Sequence, residues 1–124
     1  ATLWLVATPI GNMEDITFRA VRVLGDVDVL ACEDTRQTAK ILERYEISRP
    51  KTVVSYHEHN EERAGQQLLD RLAEGQNVAI CSDGGLPSIS DPGYRSAAAA
   101  VEAGHAVEGV PGPGAVQAGV AVAG

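Results

Sequence analysis

The chain has 124 residues, of which 44% are hydrophobic, enough for one folded domain with a buried core. It contains no apolar run near the 18 residues of a membrane span and no signal-peptide pattern, so we expect a cytoplasmic protein without a membrane partner. The net charge of −7 opposes nucleic-acid binding, yet residues 19–51 hold seven of the ten basic residues against six acidic ones.

Short apolar runs alternate with helical patterns along the chain, which is typical of βαβ units. Five strands are predicted, over residues 3–8, 28–33, 52–56, 77–82 and 106–110. Four helices are predicted between them, over residues 17–25, 36–46, 60–74 and 93–103. Thr35 and Asn60 are the expected N-caps of the second and third helices, and Gly75 is the expected end of the third. The strands are nearly continuously apolar, which indicates an α/β fold with a five-stranded, mainly parallel sheet and helices on both faces.

The loops that follow the strands carry the small and reactive residues of the chain. In open parallel sheets, ligands bind outside the carboxyl ends of the strands. Gly at these exits lets a ligand approach the backbone closely, and Pro holds a loop open at low entropic cost. The sequence contains neither a GxGxxG motif after the first strand nor a P-loop motif. Lys and Arg are also sparse at these Gly-rich loops, so a nucleoside cofactor that carries its own positive charge fits an acidic cleft better than a nucleoside triphosphate does.

Carboxylates and imidazoles at two of these exits are candidates for catalysis. We favour the Glu33–Asp34 pair, together with His57 or His59, as groups on the substrate side that handle a proton. Asp34 has a second interpretation, as a negative charge that stabilises a helix N-terminus. The two histidines also have a second interpretation, as metal ligands. No third ligand is identifiable, however, and no metal is predicted.

Three basic residues recur every fourth position in the second predicted helix. Arg36, Lys40 and Arg44 therefore lie on one helix face. Such a stripe is either a solvated surface or, if the substrate is RNA, a set of phosphate contacts.

The exit loops, in their order and spacing, resemble those of the N-terminal domain of the tetrapyrrole (corrin/porphyrin) methylases. The loops read TPIGN, CEDTR, YHEHNE, SDGGLPSISDPG and PGPGA. CEDTR and HEHN are similar to the branch of the family that methylates ribosomal RNA rather than to the corrin branch. The resemblance covers essentially the whole chain.

This resemblance implies a two-domain, class III methyltransferase that acts on the 2′-hydroxyl of a cytidine in the 16S rRNA of the 30S subunit, as a homodimer. It implies S-adenosylmethionine as the cofactor, in a cleft between two α/β domains. Residues 1–124 would be the first domain, and because both chain ends look cut we expect the second to be missing. Motif matching implies cofactor contacts from three loops: Pro9, Gly11 and Asn12; Asp83, Gly84, Gly85 and Leu86; and Gly114 and Ala115.

The chain departs from the common family form at three positions. Gly84, Leu86 and Gly114 stand where that form has Ala, Thr and Ser, so two side-chain hydroxyls are absent while backbone contacts are retained. Two other functions remain open. One is methylation of a tetrapyrrole or another small molecule by the same fold, and the other is binding of cofactor or RNA by a fragment without turnover.

Overall fold

The computed structural model describes residues 1–8, 16–47, 52–83 and 92–110, and strands and helices alternate along these ranges. Each element lies within two residues of its predicted bounds, so the predicted βα alternation is confirmed. None of the helices in these ranges is long and apolar enough to cross a membrane. The elements are β1 Thr2–Thr8, α1 Phe18–Asp26, β2 Val29–Cys32, α2 Thr35–Arg44, β3 Thr52–Ser55, α3 Glu61–Ala73, β4 Val78–Asp83, α4 Pro92–Glu102 and β5 Ala106–Val110.

The five strands form one sheet in the order β3-β2-β4-β1-β5, and every neighbouring pair is parallel. The first three strands progress toward one edge, after which β4 inserts between β2 and β1 and β5 takes the opposite edge. The central pair runs in register from Leu3 opposite Val78 to Thr8 opposite Asp83. The carboxyl ends of β1 and β4 are therefore level with each other.

Side chains of the sheet alternate between two buried layers, as the period of two in a strand requires. On one face, Ile80 and its neighbours pack against α3 and α4. On the other face, Ala79 and its neighbours pack against α1 and α2. The predicted covering of both faces is confirmed, and it explains why the strands read as continuous apolar runs. The helix residues in these layers include Leu68, Leu72 and Ala100 on the first face and Leu24, Ile41 and Leu42 on the second.

The second helix is capped by Asp34. Its Oδ1 accepts hydrogen bonds from the backbone N–H of Arg36 at 3.0 Å and of Gln37 at 3.2 Å. The prediction that Thr35 is the cap was wrong, because Thr35 is already the first helical residue whereas Asp34 has the extended backbone of a cap. The second interpretation of Asp34, as a negative charge at the helix N-terminus, is confirmed.

The third helix ends at a glycine, as predicted. Gly75 has a φ of 86°, which only glycine adopts without strain, and the N–H of Gln76 donates to the carbonyl of Arg71 at 3.1 Å. Gly104, with a φ of 88°, ends α4 in the same way. Both turns direct the chain into the next strand.

The amino ends of the central strands are joined by side chains of Asn77 and Asp28. Asn77 Oδ1 accepts from the N–H of Thr2 at 2.9 Å, which ties β4 to β1. Asp28 Oδ2 accepts from the N–H of Asn77 at 2.9 Å, which ties β2 to β4. Both side chains satisfy backbone donors that the sheet itself leaves unpaired at this edge.

We expect Asn77→Ala to lower the free energy of unfolding by about 1–2 kcal/mol, because it leaves the partly buried N–H of Thr2 without its acceptor. Chemical denaturation measures the change. The control is Gln67→Ala, which truncates an exposed side chain of α3. Equal stability of Asn77→Ala and the control would contradict this role for Asn77.

Candidate functional site

The strand order brings the predicted exits together at the carboxyl edge of the sheet. The exit of β2, with Glu33 and Asp34, lies between the exit of β3, with His57, and the end of β4 at Asp83. Thr8, at the end of β1, is the register partner of Asp83. Four exits that are distant in sequence therefore form one row.

Glu33 and Asp34 are adjacent carboxylates that differ in their hydrogen bonds. Both are exposed, but Asp34 Oδ1 is occupied by the two N–H groups at the start of α2. Within the described part of the chain, Glu33 has no hydrogen bond or ion pair. Of the two carboxylates, Glu33 is thus the one with both oxygens available to a ligand or a proton.

The turn after β3 is held by Asn60 and fixes the His57 ring. The Asn60 amide donates to the carbonyl of Ser55 at 2.8 Å, and its Oδ1 accepts from the N–H of His57 at 2.8 Å. Asn60 occupies the predicted N-cap position of α3, but its side chain makes these bonds instead of a cap bond. His57 Nδ1 accepts from the N–H of His59 at 3.2 Å, so the neutral ring carries its proton on Nε2.

His59 is the exposed member of the pair. Its ring lies edge to face with that of His57, with 5.9 Å between centroids. It lines an open depression of about 530 Å³ together with Glu58, Asn60 and Glu61. Among the side chains that the structure describes, no three His, Cys, Asp or Glu residues are grouped so that they could hold a metal ion.

A buried hydroxyl pair beside this turn was not predicted. Tyr56 is 5% exposed, and its hydroxyl forms a hydrogen bond with Ser96 Oγ of α4. Burial raises the pKa of the Tyr56 phenol above its usual value, so the group stays neutral and protonated. A Cβ on Gly65 of α3 would lie 3.2 Å from Ser96 Oγ, so the glycine permits the close approach of α3 and α4. The only signal in the sequence is a serine four residues before the buried Ala100 in an alanine-rich helix.

An ion pair between the same two helices lies next to this hydroxyl pair. Arg95 Nε donates to Glu61 Oε2 at 3.0 Å, and Nη2 contacts the same oxygen. The hydrogen bond to Glu61 raises the pKa of Arg95. Because the Arg95 side chain is 52% exposed, the pair contributes little to the stability of the fold. It joins the first turns of α3 and α4.

The predicted cofactor residues fall mostly beyond the described ranges. Asp83 is the last residue of β4, and its side chain is outside the described set. The others lie outside the described residues altogether, namely Pro9, Gly11, Asn12, Gly84, Gly85, Leu86, Gly114 and Ala115.

The predicted basic stripe lies on the surface of α2. Arg36, Lys40 and Arg44 are all exposed, whereas Ile41 and Leu42 are buried. The prediction that the three share one helix face is consistent with this pattern, and the RNA contact itself stays a prediction.

Several sequences named ribosomal RNA small subunit methyltransferase I are similar to this chain. The one from Halalkalibacterium halodurans is 54% identical over 111 residues, which is 90% of this chain and 38% of that protein. The one from Mesorhizobium japonicum is 49% identical over 98% of this chain and 41% of its own length. The one from Thermotoga maritima is 46% identical over 98% of this chain and 54% of its own length. The chain thus spans about half or less of the length of these relatives.

Solved structures with the same fold include two methyltransferases. A uroporphyrin-III-C-methyltransferase from Thermus thermophilus superposes with a TM-score of 0.69 at 25% identity, over 90% of this chain and 46% of that one. A cobalt precorrin-4 methyltransferase superposes with a TM-score of 0.72 at 22% identity, over 90% of this chain and 45% of that one, and shows the shared fold alone. The family model of the tetrapyrrole (corrin/porphyrin) methylases matches residues 2–124. The chain therefore belongs to the tetrapyrrole methylase family.

Proposed function

We propose that this chain is the N-terminal, cofactor-binding domain of a methyltransferase that modifies the 2′-hydroxyl of a cytidine in 16S rRNA, on the 30S ribosomal subunit. The observation that carries the proposal is the identity of 46–54% with relatives named for ribosomal RNA, against 25% with the methyltransferase named for uroporphyrin. We also propose that the protein acts in the cytoplasm, where ribosomes are assembled, and that it is a homodimer.

We propose that S-adenosylmethionine binds at the carboxyl edge of the sheet, between this domain and a second one. The edge suits a sulfonium cation, because the exits of β2 and β4 carry the carboxylates Glu33, Asp34 and Asp83 against a single basic residue, Arg36. When bound, the cofactor supplies the methyl group. The residues proposed to hold it are Pro9, Gly11 and Asn12 after β1, Asp83, Gly84, Gly85 and Leu86 after β4, and Gly114 and Ala115 after β5.

Glu33 is the proposed general base for the acceptor hydroxyl. Its carboxylate is exposed and uncommitted, whereas Asp34 is held by the cap bonds of α2. His57 presents an N–H at Nε2 and is proposed to donate a hydrogen bond to the substrate rather than to accept its proton. The exposed His59 is proposed as a further RNA contact. Loss of the proton to Glu33 makes the hydroxyl oxygen nucleophilic.

The test of the proposed function is methyl transfer from radiolabelled S-adenosylmethionine by the full-length protein. We expect label in the 16S rRNA of unmodified 30S subunits, on a ribose of cytidine, as nuclease digestion and nucleoside chromatography would show. Uroporphyrin III is the competing substrate. Label in the tetrapyrrole and none in the rRNA would favour the alternative activity, and cofactor binding without label in either would favour a binding role.

A matched pair of amide substitutions separates the two carboxylates. We expect Glu33→Gln to lower kcat by about 100-fold or more, because the proton acceptor is lost. Asp34→Asn should leave kcat nearly unchanged, because an asparagine Oδ1 still caps α2. The measurement is steady-state methyl transfer at saturating 30S subunits, with thermal unfolding to confirm that both variants fold. A fully active Glu33→Gln, or an equal loss in Asp34→Asn, would refute this assignment.

Replacement of Arg36, Lys40 and Arg44 together by Ala should weaken RNA binding and flatten its dependence on salt, because three phosphate contacts are lost. The double variant Arg36→Lys/Arg44→Lys keeps the charge and should keep the salt slope. Filter binding to 16S rRNA over a range of salt concentrations measures both quantities. Unchanged affinity and slope in the triple variant would mean that the stripe is only solvated.

A further inference from the structure

The two helical layers carry opposite charge. The layer of α1 and α2 has five basic and two acidic residues, whereas the layer of α3 and α4 has three basic and four acidic ones. The chain as a whole is acidic, so the positive charge is concentrated on one face of the sheet. The basic residues of the α1/α2 layer are Arg19, Arg22, Arg36, Lys40 and Arg44, and all are exposed.

Four of the five cations of the α1/α2 layer lack a partner among the described residues, whereas two of the three cations of the α3/α4 layer have one. In the α3/α4 layer, Arg95 pairs with Glu61, and Arg71 approaches Glu74 at 4.0 Å. Among the described residues of the other layer, the side chains of Arg19, Arg22, Arg36 and Lys40 take part in no ion pair or hydrogen bond. Cations without protein partners are neutralised by mobile counterions, and a phosphate chain that replaces those counterions gains free energy by releasing them.

An exposed aromatic ring stands at one end of this basic layer. Phe18, the first residue of α1, is 96% exposed and precedes Arg19. Because α1 follows β1, its first turn lies on the side of the carboxyl ends, where the candidate site is. Single-stranded RNA is held by aromatic rings on which its bases stack, with Arg and Lys on the adjacent phosphates. The ring and the cations of α1 match that pattern.

We propose that the α1/α2 layer is the face on which single-stranded RNA binds, with an unpaired base stacked on Phe18 and neighbouring phosphates held by Arg19 and Arg22. The inference rests on the proposed function and deepens it, because it adds α1 to the basic stripe of α2. In this arrangement the RNA passes over the basic helices toward the carboxyl edge of the sheet.

The test uses the full-length protein and a short fluorescein-labelled single-stranded RNA, with binding measured by fluorescence anisotropy at several salt concentrations. Phe18→Ala should weaken binding by about 5- to 150-fold with the salt slope unchanged, because stacking is lost and charge is not. Phe18→Trp, which keeps an aromatic ring at this position, should bind with the affinity of the parent. Arg19→Ala/Arg22→Ala should weaken binding and lower the salt slope by about 1.4, the value for two phosphates on a single strand.

The matched control is Arg63→Ala/Arg71→Ala, which removes the same charge from the opposite layer and should leave affinity and slope near those of the parent. Since Phe18 is almost fully exposed, its replacement should not change the unfolding temperature. Equal affinity of Phe18→Ala and the parent, equal effects of the two arginine pairs, or no RNA binding by the parent would each overturn the inference.

Methyl transfer to 30S subunits separates the inference from the proposed function. If the parent methylates 16S rRNA and the α1 variants do so with an unchanged KM for the subunit, the inference fails while the function stands. If the parent methylates no RNA, the proposed function fails, and the anisotropy results still decide whether this face binds RNA.

Discussion

The pairing of β1 with β4 at the centre of the sheet is the constraint on which the rest of the structure depends. Their six register pairs run from Leu3 opposite Val78 to Thr8 opposite Asp83, and helices bury the sheet on both faces. A polar group buried in that interior without a hydrogen-bond partner would cost about 2–7 kcal/mol of transfer free energy, because it loses its contact with water. In β1 to β4 the only charged side chain is accordingly that of Asp83, at the end of its strand. Because all strands are parallel, one end of each strand opens on the same edge.

Neighbouring residues at this edge acquire different chemistry from their backbone surroundings. Glu33 and Asp34 are both exposed carboxylates, but the start of α2 occupies one oxygen of Asp34 and leaves Glu33 uncommitted. In the same way, the N–H of His59 occupies Nδ1 of His57 and fixes which nitrogen carries the proton. Residue type alone does not distinguish Glu33 from Asp34 or the two nitrogens of His57, whereas local hydrogen bonds do.

Most of the fold could be predicted from the sequence, because its signals are local. Continuous apolar runs marked the strands, and Gly75 marked a helix end through its own φ. The cap of α2 was misassigned by one residue, since Asp34 and Thr35 are both good caps and only the backbone angles distinguish them. The exits were predicted as a group, but the order in which they lie along the edge depends on strand pairing.

The contacts that could not be predicted join residues far apart in sequence. Tyr56 and Ser96 are 40 positions apart, and Thr2 and Asn77 are 75 apart. These residues have no distinctive sequence pattern. Ser96, for example, is a buried serine in an alanine-rich helix, and in the sequence it resembles any neutral helix residue. Such pairs follow from the three-dimensional packing of elements whose own existence was predictable.

Gly65 ties one of these contacts to the spacing of two helices. Ser96 Oγ lies 3.2 Å from where a Cβ of residue 65 would be, so a methyl group there requires the Ser96 side chain or the helices to shift by a few tenths of an ångström. Either shift would also disturb the hydrogen bond between Tyr56 and Ser96. The three positions thus form a set in which a change at one alters what the others tolerate. Across related sequences, a larger residue at position 65 should accompany the loss of the hydroxyl at 96, so the set is expected to covary rather than to drift position by position.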